Sequence, residues 1–232
     1  TYTTDEETKT DPNAKYLMAL LGYNLPQDAV VTDVDFSTQT ADLRQMGSSP
    51  HSLPVLLTQE GKSVAKMVSG KAILDSENRE DYILFGTTQG LLTVVKAGTG
   101  EEVFSFLPRE MLDKQPETFR DRGGALNGGR YALYDGLDGE WVAHTVYVAK
   151  DDGTLTVKAT TRNVVGSEID KENLQGKQWV YGGMRMGGRS YYALDLSDIN
   201  SPKVKFHIDP NSGRVYSADK ADGTHYAALE NM

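Results

Sequence analysis

The sequence contains no cysteine among its 232 residues. That absence removes disulfide staples, zinc–thiolate centres and thiol nucleophiles together, and it fits a cytoplasmic and an oxidising compartment alike. Long apolar runs are missing too. None approaches the roughly 18 residues of a membrane-spanning helix, and no signal-peptide pattern is present. Positive charge is scarce: 24 Lys and Arg stand against 33 Asp and Glu, giving a formal charge of −9 and an isoelectric point near 5.0. With no basic stripe, the electrostatic basis of a general nucleic-acid binder is lacking. The histidines, His51, His144, His207 and His225, are scattered with no two at metal-ligand spacing, so structural or surface roles are expected of them. No Gly-x-Ser-x-Gly elbow or Glu-x-x-His pair occurs. No catalytic, cofactor-binding or metal-ligating residue is therefore assigned.

What is abundant is glycine (23) and tyrosine (12), spread through short runs of alternating polarity. "SLPVLLT", "DYILFGTT", "GLLTVVKA", "EEVFSFLP", "GEWVAHTVYVAK", "GTLTVKATT", "KQWVYGG", "SYYALDLS" and "KVKFHID" each read as a strand bounded by turn residues. "AKDDGTLTV" reads as a hairpin turning at Asp151, Asp152 and Gly153. Asp135 and Asp138 in "YDGLDGEW" could form a carboxylate pair, but Asp-Gly repeats are usually turn chemistry. Residues 1–45 are expected to be a polar tether followed by a short docking helix. Asp11 is its N-cap, Pro12 lies in its first turn, Tyr16, Leu17, Leu20 and Leu21 share a face, and Gly22 stops it. A second short helix is expected at "LPREMLDK", with Pro108 at its first position and Glu110 in its first turn. "QPETFRDRGGALNGGRY" and "NVVGSEIDKENLQG" read as polar, glycine-containing connections. Residues 46–232 form one β domain with no linker cutting it in two.

Two stretches share an order of elements. Tyr82 to Pro108 and Trp179 to Asp209 each run apolar strand, glycine turn, alternating strand, polar turn, and strand ending in aromatics. Three consecutive antiparallel strands, twice over, is the pattern from which propeller blades are built. The second copy contains Gly183, four residues, Gly188, Arg189 and Ser190, one Lys-to-Arg change from a phosphate-binding loop. Such a loop needs a helix after it, whereas "YYALDLSD" follows. A glycine-rich strand connection with crowded backbone is the expectation, with Arg189 at the surface or between blades.

"GGMRMGGRSYYALDLSD" followed by "SPKVKF" resembles the glycine-rich blade segment of PilC/PilY-type proteins of type IV pili. "YILFGTTQGLLTVVKAGTGEEVFSFLPREML" is similar to a preceding blade with its short helix, and "MGSSPHSLPVLLT" to the strand leading into the blades. The resemblance covers about residues 46–209. It implies an all-β, partial or modified β-propeller of small antiparallel sheets with short helices. About three blades' worth of chain cannot close a ring, so a piece of a longer propeller is expected.

Function follows as an expectation: a non-enzymatic protein at the cell surface or pilus tip, in the outer membrane or periplasm of a Gram-negative bacterium. The family supports pilus assembly, twitching motility and adhesion. Its partners would be minor pilins and a host-cell or abiotic surface, with no nucleic acid and no membrane span. The resemblance also carries departures. Lys96 stands where such blades commonly have aspartate before the Thr-Gly turn, and Phe104 replaces the usual tryptophan. The full-length family's calcium loop is not found. Asp33, Asp35, Ser37 and Asp42 come nearest in spacing but lack the sixth-position glycine and terminal glutamate, so no cofactor is assigned to this chain. "KAGTGEEVF" faintly echoes the docking motif of quinoprotein dehydrogenases, which hold pyrroloquinoline quinone with calcium. That enzyme class is the alternative, beside a generic propeller scaffold for protein partners.

Overall fold

The computed structural model describes residues 13–25, 35, 38–44, 46–49, 51–114, 116–119, 135–159, 175–217 and 225–228. The described strands form two six-stranded antiparallel sheets. In chain order they are β1 (Val55–Val68), β2 (Lys71–Gly86), β3 (Leu92–Lys96), β4 (Glu102–Phe106), β5 (Trp141–Val146), β6 (Val148–Ala149), β7 (Thr154–Thr156), β8 (Lys177–Gly183), β9 (Tyr191–Asp195), β10 (Lys203–Asp209), β11 (Arg214–Ser217) and β12 (His225–Ala228). The first sheet is ordered β4-β3-β2-β1-β7-β6, the second β12-β11-β10-β9-β8-β5. Helix α1 (Ala14–Leu20) precedes the sheets and α2 (Arg109–Lys114) follows β4. Among the described residues no helix is long and apolar enough to cross a membrane.

The repeated three-strand pattern is present in both sheets. β2-β3-β4 and β8-β9-β10 are successive antiparallel neighbours, and each trio gains a fourth strand, β1 or β5, on the side of its first member. "GEWVAHTVYVAK" is not one strand, however. β5 pairs with β8 in the second sheet while β6 pairs with β7, which joins β1 in the first. The Asp-Asp-Gly hairpin forms as its composition requires, with Gly153 at φ 81 and Asp152 accepting from the Thr154 amide at 3.0 Å.

One core lies between the sheets. Leu57, Leu84, Leu92 and Val94 from the first meet Trp141, Val180, Tyr192 and Leu194 from the second, with Met111 of α2 and Met184 in the same cluster. Each such aliphatic side chain contributes about 1.5–3 kcal/mol by leaving water. Gly182 lies against Trp141 so closely that a Cβ there would stand 2.2 Å from the indole ring. That contact, rather than backbone freedom, is why glycine stands at 182, one residue before the end of β8.

The helices correct two expectations. The residue capping α1 is Asn13, with no side-chain cap bond, and Asp11 and Pro12 lie outside the described residues. Tyr16 and Leu20 pack on the core, whereas Leu21, placed on the same face by spacing, follows the last helical residue and is 45% exposed. Gly22 does end the helix, at φ 105. Pro108 stands immediately before α2 rather than inside it. Within "QPETFRDRGGALNGGRY", Pro116–Phe119 form a short 3-10 turn that buries Phe119.

Candidate functional site

The segment from Asp135 to Glu140 does more than turn. Gly136, at φ 57, sits where a Cβ would clash with the backbone of Thr87, Thr88 and Gly90. This close approach lets the Leu137 amide donate to the Thr87 carbonyl at 2.9 Å and drops Leu137 into the core. The next side chain, Asp138, is thereby carried inward as well; only 1% of it is exposed.

A buried carboxylate needs partners, and Asp138 has two. His51 Nδ1 lies 2.6 Å from its Oδ1, and Arg185 Nη1 donates to its Oδ2 at 2.7 Å. His51 comes from the segment leading into β1, Arg185 from the 3-10 turn Arg185–Gly187 after β8. The acid is hidden, but its partners are not: the His51 and Arg185 side chains are 60% and 52% exposed. The three border a cavity of about 680 Å³ whose wall also includes Leu53, Glu140 and Gly183. Arg185 is held at φ 50, a left-handed conformation that costs a non-glycine residue energy and is kept where the surroundings enforce it.

With Nδ1 facing the carboxylate, Asp138 fixes the His51 ring and directs Nε2 away from it. The cleft therefore offers a ring nitrogen, the unused guanidinium donors of Arg185 and the Glu140 carboxylate, over one apolar wall residue, Leu53. The nearby hydroxyls serve the loop: Ser49 donates to the Ser52 carbonyl at 2.8 Å, and Ser52 Oγ accepts from the Gly86 amide at 2.9 Å. Such a constellation suits binding of a polar group more than nucleophilic attack.

The glycine-rich segment resolves in the same neighbourhood. β9 follows Ser190 directly, so no helix stands behind the loop. Its amide chemistry is used all the same. The Ser190 N–H donates at 3.1 Å to Glu110 Oε2, whose other oxygen takes Lys114 at 2.5 Å and Asn211 at 3.4 Å. A carboxylate of the protein occupies the place an external anion would take. Burial alone would raise the Glu110 carboxyl, but the hydrogen bonds from Lys114 and Ser190 outweigh it and hold it below the usual carboxylate range. The glycines answer to crowding: a Cβ on Gly187 would lie 1.7 Å from the Gly136 carbonyl oxygen, and one on Gly188 2.7 Å from Met184 Sδ. Arg189 is exposed, as expected.

The remaining sequence candidates are dispersed. Asp135 is half-buried and is not joined to Asp138 by a hydrogen bond, so the two are not a working pair. His144 tilts over Trp179 at 6.2 Å, and His207 stacks between Tyr192 and Tyr216 at 4.3 and 5.6 Å. The side chain of His225, like Asp33 and Ser37, lies outside what is described. Asp35 and Asp42 are used locally, through the Asp35 carbonyl to Thr38 and the Asp42 carboxylate to Thr40. Lys96 pairs with Glu101 at 2.6 Å across the Thr-Gly turn. Sequence alone gives no sign of Arg185 as a partner of Asp138, nor of Glu110 as the acceptor of the Ser190 amide, because the Asp-Gly turn and the helix-start acid have the same local pattern whether or not they take these partners.

No family model matches the chain, and neither a curated protein nor a solved structure matches it.

Proposed function

We propose that the chain is part of a non-enzymatic, PilC/PilY-type protein at the surface of a type IV piliated Gram-negative bacterium, supporting pilus assembly and adhesion through a β-propeller-like domain. The resemblance of the glycine-rich segment and its preceding repeat is the source of this reading. One structural observation supports its architectural half: each sheet carries a second apolar face. Besides the side turned to the shared core, the first sheet presents Leu56, Ile83, Phe85 and Val95, and the second presents Val142, Trp179, Tyr181 and Phe206. All of these are half-buried or exposed.

A sheet inside a ring of blades must bury both faces, whereas one half of a two-layer sandwich needs only one. On this reading β1–β4 and β5-β8-β9-β10 are two successive blades, with β1 and β5 as touching inner strands, and the outward faces belong against further blades of the same protein. The His51–Asp138–Arg185 cleft, at the start of both inner strands, serves as a polar contact point on one rim.

The test is genetic. Deleting the coding sequence from the bacterium that carries it is expected to abolish surface pili and twitching, with pili returning when the retraction motor is also removed. Normal piliation in the single deletion would sink the proposal.

A further inference from the structure

β1 and β2 continue past the body of their sheet as a two-stranded arm. β7 pairs with β1 only from Glu60 to Lys62, and β3 pairs with β2 only from Tyr82 onward. Between these limits the strands pair with each other alone, from Ser63↔Ser76 out to Val68↔Lys71. Six residues at about 3.3 Å each carry the tip roughly 20 Å outward. Ser69 at φ 50 and Gly70 at φ 77 close it, the consecutive left-handed pair of a type I′ turn. A lone two-stranded ribbon is marginal in water, and this one exposes large apolar side chains: Met67 is 69% and Leu74 80% exposed, Val68 50% and Ile73 43%.

Their distribution restricts what can cover them. Directly opposed residues share a face, so Ala65 with Leu74 and Met67 with Ala72 make one uncharged face, while Lys66 with Ile73 and Val68 with Lys71 make the other. Apolar side chains thus project from both sides of the tip. A partner laid against one side would leave half of them in water; surroundings that enclose the tip cover all four.

Charge narrows the choice further. Residues 65–74 hold Lys66 and Lys71 and no acid, on a chain of formal charge −9. Lys66 is drawn toward Asp75 and Glu77 lower on the arm, at 2.7 and 3.2 Å, and Lys71 makes no ion pair among the described residues. An apolar tip with the unpaired Lys71 beside its turn complements an anionic bilayer: the apolar side chains enter the boundary between headgroups and acyl chains, and the Lys71 ammonium stays at the phosphates, where Lys66 can join it by leaving its acid partners. Depth is limited by the backbone. Both edges of the ribbon are open, and unpaired N–H and C=O groups cannot enter hydrocarbon.

We propose that the β1–β2 tip, residues 65–74, inserts into the interface of an anionic phospholipid bilayer and holds the chain at a membrane surface without spanning it. This goes beyond the pilus reading and is independent of it, since vesicle binding requires no pilus.

The absence of cysteine makes the test direct. Ser69→Cys in the full chain, labelled with an environment-sensitive fluorophore, is mixed with phosphatidylglycerol/phosphatidylethanolamine vesicles, and Thr99→Cys on the β3–β4 turn serves as control. The expected result is a blue shift at 69 and none at 99. Neutral phosphatidylcholine should bind about fivefold less for each engaged lysine. Adding Met67→Ser or Leu74→Ser should weaken partitioning about tenfold, with the circular dichroism spectrum unchanged because both side chains are exposed. Four results would each overturn the proposal: no shift at 69, an equal shift at 99, binding indifferent to both serine variants, or a shift at 69 that grows with protein concentration without vesicles. The last would assign the tip to a second copy of the chain.

Discussion

The Gln59 side-chain amide donates to the Gln178 side-chain oxygen at 2.6 Å, joining β1 of one sheet to β8 of the other in the middle of an apolar core. Both residues are essentially buried. Gln59 Nε2 also reaches the Leu196 carbonyl at 2.8 Å, and Gln178 Nε2 the Thr58 carbonyl at 3.2 Å. The pair therefore fixes how the sheets are set against each other, because sliding one along the other would strand several buried polar groups at once.

Replacing one partner is consequently worse than replacing both. Gln59→Leu leaves the Gln178 oxygen and the Leu196 carbonyl without this donor, and is expected to cost about 2–3 kcal/mol. Gln59→Leu with Gln178→Leu should recover part of that loss, since the orphaned side-chain oxygen is gone. Urea titration of the two singles and the double measures the coupling. Purely additive losses would show that the two side chains do not act as a unit.

The glycines of "GGMRMGGRS" divide sharply from those at the edge turns. Gly182→Ala drives a methyl into the Trp141 ring and Gly187→Ala drives one into the Gly136 carbonyl, so each is expected to lose about 3 kcal/mol or more, or to prevent folding. Gly98, in the β3–β4 turn, has open space around its Cβ position, and Gly98→Ala should stay within about 0.5 kcal/mol. Thermal midpoints of the three variants decide the matter. Equal effects would mean that glycine here serves local backbone freedom rather than packing.

The same contrast explains what could be read from sequence. Alternation in "DYILFGTT" and "KQWVYGG" reflects one buried face per strand, a property each strand carries alone, so the strands and the repeated trio were legible. The reach of β1 and β2 was not. "SVAKMVSGKAILDSENRE" is polar enough on one side, and uncovered enough on both, that only its turn and its continuity with buried strands reveal it as an arm. Partition of the "WVAHTVYVAK" stretch between two sheets is likewise a tertiary outcome, since Val146 and Val148 differ in nothing local. The cleft was hidden for the same reason: His51 and Asp138 are 87 positions apart, and spacing carries no signal across that distance.

His207 gives the clearest pH dependence. Its ring is stacked between Tyr192 and Tyr216, and its Nε2 is buried without a hydrogen-bond partner among the described residues. Burial lowers its pKa below the ordinary 6.5, and the negative charges of Asp209 and Glu110 offset this only in part. The unfolded chain therefore binds the proton more readily than the folded one. Stability should be complete above about pH 6.5 and fall as the pH drops below it toward the lowered folded value. The carboxylates of Glu110 and Asp209, whose folded pKa values are also lowered, add their own loss only at more acid pH. His207→Phe keeps an aromatic ring in the stack and removes the titration, so urea midpoints at pH 7.5, 6.5 and 5.5 should decline in the parent chain and flatten in the variant. An unchanged slope in His207→Phe would place the acid sensitivity elsewhere in the chain.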